Sequence, residues 1–290
     1  LDLLERYNNL LRNAEDDVVV LLNQVLESSF NRLLRRAREH MRRGMRDPSQ
    51  RNVLLLQVFR ELIPAVRPDM QDQYDELFRN LVAEASKLGI VAADALTGEL
   101  LPTHPRVDIT IPIEATMAAA AQAKGYLRRH GDEFARTAAE IVAQGIAEGR
   151  PTDAMVRDMR DRLVITRGRA ETIVRTESMR AYSEASNAYY ATIGIDLVMY
   201  YATSDDRTCP VCRDRAGRIY RRTELKLPLH PRCRCAVAPY DPEIARIDPT
   251  YAGMAARHRK EVAKHTGVPL SDDLTKAVFE SMAPTPVTDV

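Results

Sequence analysis

The chain is short of three things at once: lysine, net charge and long apolar runs. Among 42 basic residues only Lys87, Lys124, Lys226, Lys260, Lys264 and Lys276 are lysines. Arginine therefore supplies nearly all the positive charge, as planar forks of donors suited to carboxylate or phosphate. A GC-rich coding genome gives the same bias without functional meaning. The formal net charge is +1, so no global attraction to nucleic acid or membrane follows, and such a partner has to be met by a local patch. No apolar run reaches the roughly 18 residues that suggest a bilayer-spanning helix, and no membrane partner is expected. The opening LDLLERYNNL lacks a basic stretch followed by an apolar one, so no secretory signal is expected there. Because the first residue is not Met, further N-terminal sequence is expected. Internal repeats and low-complexity blocks are absent as well.

What is present reads as helix. With 45% apolar and 29% charged residues the composition is globular. Leu3, Leu4, Leu10, Leu11, Val18, Leu22, Val25 and Leu26 recur at helical spacing, and the pattern runs to about Gly44. Proline and glycine predict helices over Asn52–Ile63, stopped by Pro64, and Asp69–Leu88, capped by Gly89. Pro102, Pro105 and Pro112 mark residues 97–112 as a linker or extended arm. Helices are expected again over Glu114–Arg129, Asp132–Glu148, Thr152–Leu163 and Arg169–Ile193. Small residues Ala181, Ala185 and Ala188 on the last of these allow a close neighbour. Asp196–Ala202 has strand-forming residues, and short helices follow near Tyr251–His265 and Ser271–Met282. The expected fold is mainly α, with helical N-terminal and central parts and a small C-terminal zinc-stapled β-hairpin module. Its regions are 1–96, the arm 97–112, 113–195, the module 196–240, and helices and tail over 241–290.

All four cysteines fall between 209 and 235. Cys209-Pro-Val-Cys212 is followed by His230-Pro-Arg-Cys233-Arg-Cys235. Zinc takes four soft or borderline donors in a tetrahedron, and a CxxC turn places two sulfurs on one side of it. The second pair returns across a hairpin around Gly217. If Arg232–Val237 is extended, Cys233 and Cys235 share one face of the strand. Five donors compete for four places: Cys209 and Cys212 with two of His230, Cys233 and Cys235. Disulfides and unrelated buried thiols are the competing readings, weakened by the crowding of all four into one window.

A catalytic role for the metal is not expected. A zinc deaminase needs an HxE upstream of PCxxC. Here the proline lies inside the CxxC, and His130-Gly-Asp-Glu133 has the wrong spacing. HExxH is absent, as is a convergent Ser/His/Asp set, so the chain is read as a non-enzyme. Between Arg207 and Arg234 nine basic residues stand against Asp214 and Glu224. Two readings stand for this charge: contact with phosphates or an acidic protein, or a solvated face whose arginines balance the thiolates. The run Arg32, Arg35, Arg36, Arg38, Arg42, Arg43 and Arg46 is expected to be solvated helix surface.

The stretch 150–240 resembles the Mu F-like phage head morphogenesis (minor head protein) family. The resemblance is carried by Arg175-Thr176-Glu177 in a long helix, a β segment, Asp206-Arg207-Thr208-Cys209-Pro210-Val211-Cys212, Gly217, and His230-Pro231-Arg232-Cys233-Arg234-Cys235. It covers about a third of the chain, and the N-terminal helices match no motif. It implies a tailed-phage virion component, associated with portal and head proteins at the head interior or portal vertex, and made in the host cytoplasm. It links such proteins to packaging or delivery of double-stranded DNA. It also implies that Arg175 and Glu177 tie their helix to the zinc hairpin. Glu171 and Arg175 stand four apart, in the favourable order for a helix pair.

Overall fold

The computed structural model describes residues 2–46, 51–107, 129, 132–133, 136–145, 148 and 150–267. Their order is α1 (Asp2–Arg46), α2 (Arg51–Leu100), a helical stretch at 136–145, and α3 (Thr152–Thr192). Then come β1 (Leu197–Tyr201), α4 (Pro210–Arg215), β2 (Ile219–Arg221), β3 (Ala236–Tyr240), α5 (Pro242–Ile247), α6 (Pro249–Ala252) and α7 (Met254–Thr266). The chain is mostly helical with one small antiparallel sheet, as its sequence predicts. The expected helices at Glu114–Arg129 and Ser271–Met282 fall almost wholly outside the described residues. No described helix is long and apolar enough to cross a membrane.

Two expected breaks are absent. α2 runs from Arg51 to Leu100 straight through Pro64, Pro68 and Gly89. A proline removes one donor from the helical ladder, but propagation adds a bond at every other residue, and a helix of this length tolerates the gap. Gly89 is not a cap. A Cβ there would lie 2.2 Å from the carbonyl oxygen of Tyr182, and Ser186 Oγ donates to the Gly89 carbonyl at 2.9 Å. Glycine lets α2 touch the small-residue face of α3, where Ala181 and Ala185 are buried. α3 likewise joins the two expected pieces through Gly168. It ends at Gly194, whose φ of 78° lets Ile195 N–H return to the Tyr190 carbonyl at 2.9 Å, a left-handed glycine stop.

The residues cluster into two compact units, each built from separated stretches of chain. One comprises 1–11, 84–112 and 179–290; the other 12–83 and 113–178. In the second, Leu22, Leu26, Phe30, Phe78, Val82, Val142, Met159 and Val174 form the buried apolar core. Arg175 of α3 belongs there too. Its Nε meets Glu171 at 3.0 Å, Nη1 meets Glu15 at 3.2 Å and Nη2 meets Asp16 at 2.6 Å. The Glu171 pair is the one its spacing predicts. All three nitrogens are thus taken by carboxylates of α1 and α3, so this guanidinium joins helix to helix. Glu177 is buried on the same helix. On α1, Arg35 and Arg38 are exposed, while Arg32 donates to Ser28 and Ser29.

The first unit holds the sheet. Its order is β2-β1-β3, all antiparallel, with Met199 opposite Ile219 and Ala238, and Tyr200 opposite Val237. β1 is therefore central, and its last four residues are buried. Successive side chains point to opposite faces, so Tyr200 and Tyr201 look in opposite directions. Tyr201 stacks on His258 of α7, ring centroids 4.3 Å apart, and His258 Nε2 accepts the Ala202 N–H at 3.1 Å. Tyr200 faces the cysteines.

Candidate metal centre

Cys209 opens α4. It takes the N-cap position in extended backbone, with Pro210 behind it, and its sulfur accepts the Cys212 N–H at 3.4 Å. Proline at the first helical position supplies a φ already suited to the helix. The CxxC is thus an N-cap and the third residue of a short helix, which turns both sulfurs the same way. Two overlapping clusters of donor atoms result, Cys209–Cys212–His230 and Cys212–Cys233–Cys235, sharing Cys212. His230 Nε2 lies 3.2 Å from the sulfur of Cys209 and 3.2 Å from that of Cys212. Cys212 and Cys233 sulfurs are 3.9 Å apart. All four cysteines are free thiols, and Cys212, Cys233 and Cys235 are buried. All five residues singled out in the sequence are therefore brought together.

The donor set fits a metal ion. A tetrahedral zinc with thiolate and imidazole ligands spaces its donors by about 3.5–3.8 Å, from bonds of about 2.3 and 2.0 Å. His230 Nδ1 lies 2.9 Å from the Pro231 carbonyl. That contact holds the proton on Nδ1 and leaves the Nε2 lone pair facing the sulfurs, the orientation a ligating histidine needs. The thiols already share protons unequally. Hydrogen bonds from Cys212 and Cys235 hold Cys233 below the ordinary thiol range, while hydrogen bonding to Cys233 pushes Cys212 up. At Cys209 burial raises the thiol, but the Cys212 N–H and the His230 ring outweigh it and the net shift is downward. Buried sulfurs that cannot all ionise alone are relieved by a cation among them.

Two supporting residues escape the sequence reading. Tyr200, fully buried, donates its phenol to Cys212 sulfur at 3.2 Å. Asp205, rather than its neighbour Asp206, braces the loop. Arg234 grips Asp205 with both terminal nitrogens, Nη2 at 2.7 Å. Asp205 Oδ1 also accepts the Arg207 N–H at 3.1 Å and the Thr208 hydroxyl at 3.3 Å. Arg207 keeps a looser ion pair to Asp205 at 3.6 Å, and Asp206 is exposed. Thr203 Oγ1 donates to the Arg234 carbonyl at 2.8 Å. These contacts join the segment entering Cys209 to the segment carrying Cys233 and Cys235. The available signal was the Asx-turn pattern, an aspartate two residues before the N–H it accepts. In the returning segment Arg232 has φ 59°, so the chain turns there and becomes extended strand only at Ala236.

The long helix, the strand that follows it, the CxxC turn and the HxxCxC return now stand in one order around one cluster. Residues 137–238 match the family model described as phage Mu protein F like protein. The Mu F-like segment takes in α3, β1, α4, β2 and the start of β3, and contains all five metal-seeking residues. No curated protein and no solved structure matches the chain.

Proposed function

We propose that this protein is a structural minor head protein of a tailed phage, associated with the portal and needed for head assembly, with zinc as the structural staple of its Mu F-like segment. The supporting observation is the match over residues 137–238 together with the convergence of five soft donors. Zinc is favoured because thiolates and imidazole at this spacing suit a redox-inert tetrahedral ion. Cys209, Cys212, His230 and Cys233 are the four ligands, since their atoms are linked by the contacts of 3.2 and 3.9 Å. Cys235, within 4.8 Å of the Cys212 and Cys233 sulfurs, hydrogen-bonds to both. With every donor taken by the protein, no coordination place is left for a substrate, which fits a non-enzymatic role. Arg175 and Glu177 act inside the helical part, and Arg207 supports the metal loop through Asp205.

Purified protein should hold one zinc per chain, and Cys233→Ser should lose it while Cys235→Ser retains it. Cobalt substituted into the wild type should show charge-transfer absorption of three thiolates. A metal-free, fully folded protein refutes the staple. For the assembly role, the protein should co-purify with portal in few copies per particle; its absence from both procapsids and virions refutes that role.

A second reading is contact with packaged double-stranded DNA. Within the module Arg207, Arg221, Lys226 and Arg232 are exposed, a cluster of the sign that phosphates require. Binding should then fall steeply as salt rises from about 50 to 200 mM, by counterion release. A flat response rejects this reading without touching the first.

A further inference from the structure

We propose that Arg218 and Arg259 form a second site, separate from the metal cluster, that seats the oxyanion of a phosphate group between the turn leading into β2 and the helix α7. The backbone places these two cations together. Gly217 has φ 71°, and a Cβ there would lie 2.4 Å from the Ala255 carbonyl oxygen. The turn is therefore pressed against the first turn of α7. Arg218 is the next residue after Gly217, and Arg259 stands four residues after Ala255, on the same side of α7. The two guanidinium charges feel one another.

The pair is electrically incomplete. Arg259 is only 4% exposed, yet its Nε and Nη1 are buried without a hydrogen-bond partner, and so is Nε of Arg218. A single carboxylate serves the site: Arg218 Nη2 donates to Asp214 at 2.9 Å. Burial and the like charge of Arg218 both lower the basicity of Arg259, and Asp214 offsets part of this. A buried guanidinium with unmade N–H bonds is costly unless an anion completes it. Arg218 is 31% exposed and Asp214 52% exposed, so this edge is the mouth. Asp214 acts as a placeholder that an entering oxyanion displaces from Arg218.

The chemistry favours phosphate over carboxylate. A planar carboxylate is matched by one arginine fork, whereas a tetrahedral oxyanion has acceptors enough to bridge two. Arg213, Arg215, Arg221 and Lys260 lie on α4, β2 and α7 and outnumber Asp214 and Glu261 there, a net positive field that attracts a polyanion. The source is either the backbone of a nucleic acid, which deepens and rests on the second reading above, or free phosphate, which does not.

Thermal unfolding of the zinc-loaded protein in sulfate, and in inorganic phosphate, against chloride at equal ionic strength tests the site. The oxyanions should raise the wild-type Tm by more than their general exclusion effect, as a ligand of the native state does, and Arg218→Gln and Arg259→Met should remove that excess. Without oxyanion, Arg259→Met should be at least as stable as wild type, because it removes an unpaired buried charge. Should Arg259→Met not fold, Arg218→Gln at the mouth gives the same readout. Equal Tm in sulfate, phosphate and chloride, or a rise of the same size in Arg218→Gln as in wild type, overturns the proposal. Duplex DNA then distinguishes the sources. Loss of affinity in Arg218→Gln, with the salt slope reduced by about one phosphate contact, identifies DNA. Unchanged DNA binding alongside a lost sulfate response identifies free phosphate, and absence of all DNA binding defeats only the second reading.

Discussion

His258 shows what a single side chain can commit to. It is fully buried, stacked on Tyr201, and uses Nε2 to accept the Ala202 N–H, so it has to stay neutral. Burial pulls its pKa from 6.5 down to about 4. A lowered histidine contributes stability above the unfolded pKa, and that contribution is lost as pH falls from 6.5 towards 4. The loss is about 3 kcal/mol by linkage. His258→Gln keeps an acceptor but cannot ionise, so its unfolding free energy should lack this part of the acid slope in chemical denaturation at stepped pH. Asp205 behaves in the opposite chemical class. The Arg234 guanidinium holds its carboxyl at about 2, so its contribution is present above pH 3.8 and lost between there and 2. Because both partners are partly exposed, Asp205→Asn should cost only about 1 kcal/mol of stability, but should speed zinc release to a chelator, since the brace between the two ligand-bearing segments is gone.

At the scale of elements, the sequence is legible where spacing alone sets the outcome. The period of Leu4, Leu11, Leu22 and Leu26 predicts α1, and all four are buried. DLVMYYA predicts β1, and the cysteine spacing predicts the cluster. Illegible are the features set by a neighbour distant in sequence. Gly89 reads as a stop because a glycine near the end of a periodic run usually is one; its actual reason, the Tyr182 carbonyl, lies on another helix. Asp205 and Asp206 are equivalent in sequence until Arg234 selects one. β3 gives no alternation because both of its faces are covered and all five of its residues are buried. Gly89→Ala should accordingly destabilise the protein in spite of the roughly 1 kcal/mol of helix propensity that Ala would gain. Backbone has to move at that contact, and a loss of about 2 kcal/mol or more is expected in thermal or denaturant unfolding. If Gly89→Ala raises Tm instead, the glycine is not a contact residue.

The molecule as a whole carries two acid responses of opposite sign. In the unit that contains residues 12–83, Glu15 is 4% exposed and burial raises its pKa from 4.5 to about 7, against the pull of Ser178 and Arg175. A raised carboxyl contributes stability that is fully present below 4.5 and lost as pH rises to 7. Hydrogen exchange followed by mass spectrometry should therefore show α1 near Glu15 gaining protection as pH falls from 7 to 4.5, while β1 and α7 lose it. Glu15→Gln should remove the first trend alone. Chelation at neutral pH should separate the units in another way. If the proposed zinc is the staple, amides of β1, β2 and β3 should exchange faster after chelation, whereas α1 around Leu22 and Leu26 should be unaffected.

Neither unit is a continuous length of polypeptide. Residues 1–11 belong with 179–290, and 12–83 belong with 113–178. On the ribosome the second unit has all its parts once residue 178 is out, whereas the first eleven residues then have only 84–112 of their own unit beside them in the chain already made. No single cut in the chain frees either unit whole, and a nascent protein halted near residue 178 would hold one complete set of parts and an unfinished second.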